Sequence, residues 1–274
     1  MKLQFTKMHG LGNDFIFIDG RKGKLPNLKK VAKQICHRRH GIGADQILVL
    51  GNSRKADFRM EIYNADGSQV EMCGNGIRCL AKYVKDNKLT SKNEIRVETL
   101  SGIQIARFVS RGMICVDMGE PIMKGKDIPV RLSGRVINRP IRVDGKEFRA
   151  TCLSMGNPHC VIYCDDLEKF PVEKYGPIIE KHQLFPKRTN VEFVKVISDE
   201  EVHMRVWERG AGETLACGSG ACAVGVAGVL NGMNDRKVAV KLPGGVLHIE
   251  WKVDTRHVFM TGPAESVFEG VVEL

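Results

Sequence analysis

The strongest constraint on this 274-residue chain is that its two halves repeat one another. Cys73-Gly74-Asn75-Gly76 and Cys217-Gly218-Ser219-Gly220 share the pattern Cys-Gly-[Asn/Ser]-Gly and lie 144 residues apart (217 − 73). Leu11-Gly12-Asn13 matches Met155-Gly156-Asn157, Met60 to Asn64 lines up with Met204 to Glu208, and Gln46 corresponds to Asn190, all at that spacing. Several ungapped matches at one spacing point to an internal duplication. The period is far too long for a solenoid, so each copy is expected to be a domain with its own core. The length also suits two domains. The boundary is expected near Gly119-Glu120-Pro121, giving domains 1–119 and 120–263.

Each copy carries the same local signals. Phe58 to Tyr63 and His203 to Trp207 alternate as half-buried strands do, and each leads through a polar, glycine-containing loop to a Cys-Gly-x-Gly. A helix should follow. Ile77 to Lys85 has apolar residues at three- and four-residue spacing, whereas Gly220 to Leu230 is apolar on every side and reads as a buried central helix. Short Val/Ile-rich segments (Ile95 to Val97, Met113 to Met118, Val191 to Val196, Val238 to Leu242) supply further strands. The expected fold class is mixed α/β (α+β): two pseudo-symmetric domains, each a strand-rich, barrel-like wall around a central helix.

Composition then removes several classes. No apolar run approaches the roughly 18 residues of a membrane span, and MKLQFTKMHG lacks the apolar stretch of a secretory signal. Nine cysteines, an odd number, argue for thiols in a reducing cytoplasm. No C-x2-C pair is present; the nearest approaches are Cys160-x3-Cys164 and Cys73-x5-Cys79, and His37 and His40 have no cysteine pair beside them, so no metal site is expected. Lys and Arg exceed Asp and Glu by 42 to 32, a net charge of +10. That excess is scattered. Its short clusters (Arg21-Lys22 with Lys24, Lys29-Lys30, Arg38-Arg39) lack aromatic neighbours, so solvated surface is favoured over a nucleic-acid groove.

The paired cysteines carry the chemistry. A helix N-terminus presents unpaired N–H groups and partial positive charge, which favour a thiolate. The adjoining glycines let those N–H groups approach a carboxylate closely. Facing each other across an interdomain cleft, two such ends would hold one carboxylate, with one sulfur on each side of the neighbouring carbon. That describes a two-base racemase, in which one thiolate removes the α-proton and the opposite thiol returns one.

The segments Lys7 to Phe15, Gly41 to Gln46, Tyr63 to Ser68, Glu71 to Arg78, Gly156 to His159, Thr189 to Phe193, Glu208 to Thr214 and Ala216 to Gly220 resemble the diaminopimelate epimerase family, in its order, from Lys7 to about Gly262. The resemblance implies interconversion of L,L- and meso-diaminopimelate on the route to lysine, in the cytoplasm, with no cofactor or metal, and as a homodimer. It implies that Cys73 and Cys217 are the acid/base pair. Gly74, Asn75, Gly218 and Ser219 would hold the α-carboxylate through their N–H groups. Asn13, Gln46, Asn64, Asn157, Asn190, Glu208 and Arg209 would bind the rest of the substrate, with Arg209 paired to the distal carboxylate. His159 and Glu208 would tune the thiols. It further implies that residues 264–274 return to the first domain; Phe268 departs from the Tyr some relatives carry there. A proline racemase-like enzyme would share the paired cysteines but not need Asn64, Asn190, Glu208 and Arg209 together. A nucleic-acid-binding module would instead bind with steep salt dependence and survive loss of both cysteines.

Overall fold

The structure, a computed structural model, describes residues 1–21 and 23–274; Lys22, in one of the short basic clusters, lies outside the described residues. The chain forms two compact units, Met1–Val116 with Gly262–Leu274, and Asp117–Thr261. The first contains β1 (Lys2–Gly10), β2 (Asn13–Asp19), α1 (Leu28–Ile35), β3 (Gln46–Gly51), β4 (Phe58–Asn64), β5 (Gln69–Val70), α2 (Gly74–Asp86), β6 (Glu94–Thr99), β7 (Gly102–Phe108) and β8 (Ile114–Asp117). The second contains β9 (Val136–Val143), β10 (Lys146–Ser154), β11 (Pro158–Tyr163), α3 (Val172–Glu180), β12 (Asn190–Ser198), β13 (Glu201–Glu208), β14 (Gly212–Thr214), α4 (Gly218–Asn231), β15 (Lys237–Leu242), β16 (Gly245–Trp251) and β17 (Val258–Gly262). The last strand, β18 (Glu265–Glu273), is an antiparallel partner of β1 and so belongs to the first unit.

Strand pairing is the same in both units. In the first, β18, β1 and β2 are successively antiparallel, β2–β3 is parallel, β3–β4 antiparallel, β4–β6 parallel, and β6–β7–β8 antiparallel. In the second, β9, β10 and β11 are antiparallel, β11–β12 parallel, β12–β13 antiparallel, β13–β15 parallel, and β15–β16–β17 antiparallel. Register is repeated as well: Phe15 lies beside Gln46 on the parallel pair of one unit, and His159 beside Asn190 on that of the other. Both parallel pairs in each unit are joined through a helix, as parallel pairing requires a crossover.

Each sheet is covered on both faces, which explains why its central strands read as continuous apolar runs rather than alternations. Phe15, Ile16, Phe17 and Ile18 are all buried. Ile16, Ile18, Ile47 and Val49 join Leu28, Ala32 and Ile35 of α1 in one cluster. The alternate residues point to α2: the rings of Phe17 and Tyr83 lie 4.3 Å apart, and Leu48 packs at Gly76. In the second unit α3 covers Cys160, Ile162, Val191 and Phe193. There α4 touches β9, β10, β11 and β12 as well as β15 and β16, so the sheet wraps around it.

Two helix starts differ from the sequence expectation. α2 begins at Gly74 rather than Ile77, and α4 at Gly218 rather than Gly220. The first turns are Gly-Asn-Gly and Gly-Ser, which carry no apolar periodicity to read. Cys73 and Cys217 are the N-caps, both with extended backbone (φ −144, ψ 115 and φ −122, ψ 109). α4 is built from small residues because its neighbours leave no room for larger ones. A Cβ at Gly228 would fall 1.5 Å from Oδ1 of Asn234, whose Nδ2 donates to the carbonyls of Gly225 and Asp235.

Gly228→Ala therefore tests the packing of α4. In an exposed helix this change stabilises by about 0.5–1 kcal/mol. Here the methyl must displace Asn234 and break its hydrogen bonds, and the expected result is a loss of about 1–3 kcal/mol. Thermal denaturation should show a lower midpoint; an unchanged or higher one would mean that Asn234 does not fix α4.

Candidate active site

In the first unit the half-buried Cys73 caps α2, and its Sγ lies 3.7 Å from Oδ1 of Asn13. The Asn13 amide has a fixed orientation. Its Nδ2 donates to Oδ2 of Asp45 at 2.9 Å, so Oδ1 faces α2 and accepts from Nδ2 of Asn75 at 3.1 Å. Asn75 in turn accepts at Oδ1 from Nη2 of Arg78 at 3.0 Å. The Arg78 side chain is fully buried, and its Nε donates to the carbonyl of Pro263 at 3.0 Å, tying α2 to the returning C-terminal segment. Asp45 is held by Arg38, which also binds Asp14 through two nitrogens. Burial opposes ionisation of Asp14, but Arg38 and Lys7 outweigh it and hold the carboxyl well below the usual range.

Gln46 begins β3 and Asn64 ends β4, directly opposite one another. Nε2 of Gln46 donates to Oδ1 of Asn64 at 2.9 Å, and Asn64 donates to Oγ of Ser68 at 2.9 Å. Oε1 of Gln46 is buried without a partner among the described residues. An orphaned acceptor of this kind is open to a ligand donor. The structure thus brings Asn13, Cys73, Gly74 and Asn75 together at one helix end, with Gln46 and Asn64 paired at adjoining strand ends.

The second unit repeats this frame with different groups. Cys217 is buried at the start of α4, where Sγ accepts from N–H of Gly220 at 3.4 Å and lies 3.6 Å from Oγ of Ser219. Glu208, at the end of β13, accepts from Oγ1 of Thr214 at 2.5 Å. Beneath them His159 and Glu192 are fully buried, with Nδ1 of His159 2.7 Å from Oε1 of Glu192 and Nε2 3.0 Å from Oδ1 of Asn157. Asn190 donates to the carbonyl of Pro158 and accepts from N–H of Arg209, both at 2.9 Å. Arg209 is exposed, its Nη1 donating to the Lys187 carbonyl at 3.2 Å.

The sequence expectation that a helix end lowers the thiol pKa does not hold for Cys217. Burial pushes the thiol well above its ordinary value, and the carboxylates of Glu208 and Glu192 add to the push. Ser219 and N–H of Gly220 pull the other way but are outweighed. Burial also raises Glu208, against the hydrogen bond of Thr214, the Cys217 thiol and the nearby His159. Among the described residues no group of three or more His, Cys, Asp or Glu is placed to hold a metal ion. No described helix is long and apolar enough to cross a membrane.

Four residues beside the sites were given no role by the sequence: Asp45, Arg78, Glu192 and Thr214. Asp45 and Glu192 lie inside segments that carry the family resemblance, and Arg78 and Thr214 each close one. Only the folded contacts show what they hold.

The diaminopimelate epimerase family model matches residues 5–124 and 151–267. The chain belongs to that family. The diaminopimelate epimerase of Acetivibrio thermocellus is 53% identical over 99% of both chains. That of Methanococcus maripaludis is 51% identical over 99% of this chain and 100% of its own. Among solved structures, a Bacillus anthracis phenazine biosynthesis protein of the PhzF family is similar with a TM-score of 0.73 at 15% identity over 100% of both chains. A hydroxyproline epimerase from Agrobacterium vitis gives 0.72 at 14% identity over 99% of this chain and 91% of its own. At such identities these neighbours share the fold alone. The mixed, strand-rich architecture expected from the sequence is the one they have, and membership of an epimerase family makes the chain an isomerase.

Glu208 gives a signed pH prediction. Its carboxyl is raised in the folded protein, so the native state holds the proton more tightly than the unfolded chain and stability falls as pH rises from the unfolded value through the folded one. Glu208→Gln should therefore raise the melting temperature at neutral and alkaline pH. The gain should shrink to nothing as pH falls through the folded value towards 4.5. Melting curves across pH check this; a stabilisation independent of pH would place its cause elsewhere.

Proposed function

We propose that the chain interconverts L,L- and meso-diaminopimelate by proton transfer at the α-carbon, using the Cys73 and Cys217 thiols and no cofactor, on the route to lysine. The observation that carries this is family membership along nearly the whole chain, together with a cysteine N-cap on the central helix of each unit. Two corresponding units with one strand order, each capped by cysteine, support an origin by duplication and a pseudo-symmetric division of labour.

In this reading a thiolate takes the α-proton and becomes a thiol. The electron pair left on carbon delocalises into the α-carboxylate, and the second thiol returns its proton to the other face and becomes a thiolate. The two sulfurs exchange protonation states at each turnover, so the reverse reaction uses the same groups in opposite roles. The chemistry requires both sulfurs to reach one carbon. N–H groups of Gly74, Asn75, Gly218 and Ser219 at the helix starts stabilise the charge gathering on the carboxylate. Asn13, Gln46, Asn64, Asn157, Asn190 and Glu208 recognise the remaining polar groups. Arg209, whose exposed guanidinium donates to the neutral Lys187 carbonyl, suits the distal carboxylate. His159 and Glu208 set the proton affinity at Cys217.

The reading places the enzyme in the cytoplasm, where nine cysteines remain thiols; none forms a disulfide here. A homodimer is supported by the apolar side chains that β18 leaves exposed, with Val267, Phe268 and Val271 each about half accessible.

Proton exchange with L,L-diaminopimelate in deuterated water, followed by NMR, tests the proposal. Wild type should exchange the α-proton and form the meso isomer, with no exchange into proline or hydroxyproline. Cys73→Ala and Cys217→Ala should each lose turnover by about 10²–10⁴-fold while melting as wild type does. Near-wild-type turnover in either variant would contradict the two-thiol mechanism. Arg209→Met should raise KM more than it lowers kcat, because a carboxylate loses its charge-assisted partner; an unchanged KM would move Arg209 to the reacting end.

A further inference from the structure

The two units share a frame but not what lies beneath their cysteines. Phe15 and Leu48 face α2 in the first unit, Leu48 lying 3.1 Å from where a Cβ of Gly76 would stand. The positions 144 residues on are His159 and Glu192. A Cβ at Gly220 would stand 2.9 Å from Oε1 of Glu192 and 3.2 Å from Sγ of Cys217, so carboxylate and sulfur flank the same point on the first turn of α4. One half of the molecule is thus apolar where the other holds a buried, charge-capable pair.

We infer that Glu192 is a positioning residue for the reaction at Cys217: by holding His159 it fixes the Asn157 side chain and lays a carboxylate beneath the sulfur. The inference rests on the proposed reaction, and it assigns to Glu192 a role that the resemblance did not.

The energetics favour a functional reason for this pair. Both side chains are fully buried, and Oε2 of Glu192 has no hydrogen-bond partner among the described residues. A buried ion pair is often no more stabilising than apolar residues of similar volume, and an unsatisfied carboxylate oxygen adds a cost of its own. The first unit supports the same framework with Phe and Leu, so folding does not need the pair. A carboxylate oxygen and an amide oxygen both only accept hydrogen bonds, so the His159 ring donates from both nitrogens, Nδ1 to Oε1 of Glu192 and Nε2 to Oδ1 of Asn157. The ring is then locked at both nitrogens, as an outer partner locks a functional histidine elsewhere. The charged and polar groups facing Cys217 are Glu208 from β13, Glu192 from β12, and Ser219 with N–H of Gly220 from α4, while His159 from β11 faces Glu208 and Glu192. Of these, Glu192 and Glu208 disfavour the thiolate.

Two variants test this. Glu192→Gln keeps the shape and removes the charge. His159→Phe with Glu192→Leu transplants the first unit's solution into the second and should melt close to wild type. Alkylation of each cysteine by iodoacetamide is mapped by mass spectrometry as a function of pH, with Cys73 as internal control, and kcat and KM are measured by deuterium exchange. In Glu192→Gln we expect Cys217 to be alkylated several-fold faster at mildly alkaline pH, with Cys73 unchanged. We expect kcat to fall by about ten- to a hundredfold, the usual cost of losing such an outer partner, with KM changed less. The double variant should lose at least as much turnover while staying folded. Should Glu192→Gln not fold, the double variant carries the test alone. Wild-type turnover in either folded variant, or alkylation of both cysteines shifting together, overturns the inference. If wild type fails to exchange diaminopimelate protons, the proposed function fails instead, and the alkylation comparison still decides the role of Glu192.

Discussion

A thiol at the start of a helix enclosed by its own sheet is pulled in two directions. The unpaired amides of the first turn favour the thiolate, while removal from water favours the thiol. Everything else around Cys73 and Cys217 adjusts that balance. At Cys217 burial wins, joined by two carboxylates, and the thiol form is favoured. Beside Cys73, Asn13 and Asn75 form a chain that ends on the buried guanidinium of Arg78. One site is backed by carboxylates and the other by a cation. The proposed two-thiol mechanism needs one proton between two sulfurs, and the surroundings of the two differ.

The frame that holds both sites comes from the doubly covered sheets. Parallel pairing of β2 with β3, and of β11 with β12, places Asn13 and Gln46, or Asn157 and Asn190, at the start of neighbouring strands. The antiparallel strand that follows brings Asn64 or Glu208 to the same edge, and the central helix begins there. The proposed ligand groups therefore collect where several strands and one helix start or end. Such places leave backbone N–H groups and short polar side chains unclaimed by the sheet ladder, which suits them to bind anions and amides.

The repeat makes much of this legible in the amino-acid sequence. Matches at one spacing mark corresponding strands, helices and cysteines, and the fold extends the correspondence to α1 and α3 and to the strand order. Less visible are features that depend on contacts distant in sequence. Arg78 finds Pro263 185 residues away, which no local pattern records. Glu192 sits in a run of Val and Phe, and the period of a strand does not say that its face turns inward to meet His159. The first helical turns escape a periodicity argument because Gly, Asn and Ser carry no hydrophobic period. Cys217 shows the limit of reasoning from a helix end alone, since burial and neighbouring carboxylates, both products of tertiary packing, outweigh the amides.

The central claim, that two different groups remove and return the α-proton, is tested most directly by where deuterium appears at the earliest times. Starting from L,L-diaminopimelate in deuterated water, the meso product should carry solvent deuterium at the inverted carbon, and the recovered L,L substrate should carry none. Deuterium entering recovered substrate as fast as product, or a product that keeps the original proton, would contradict the two-thiol account.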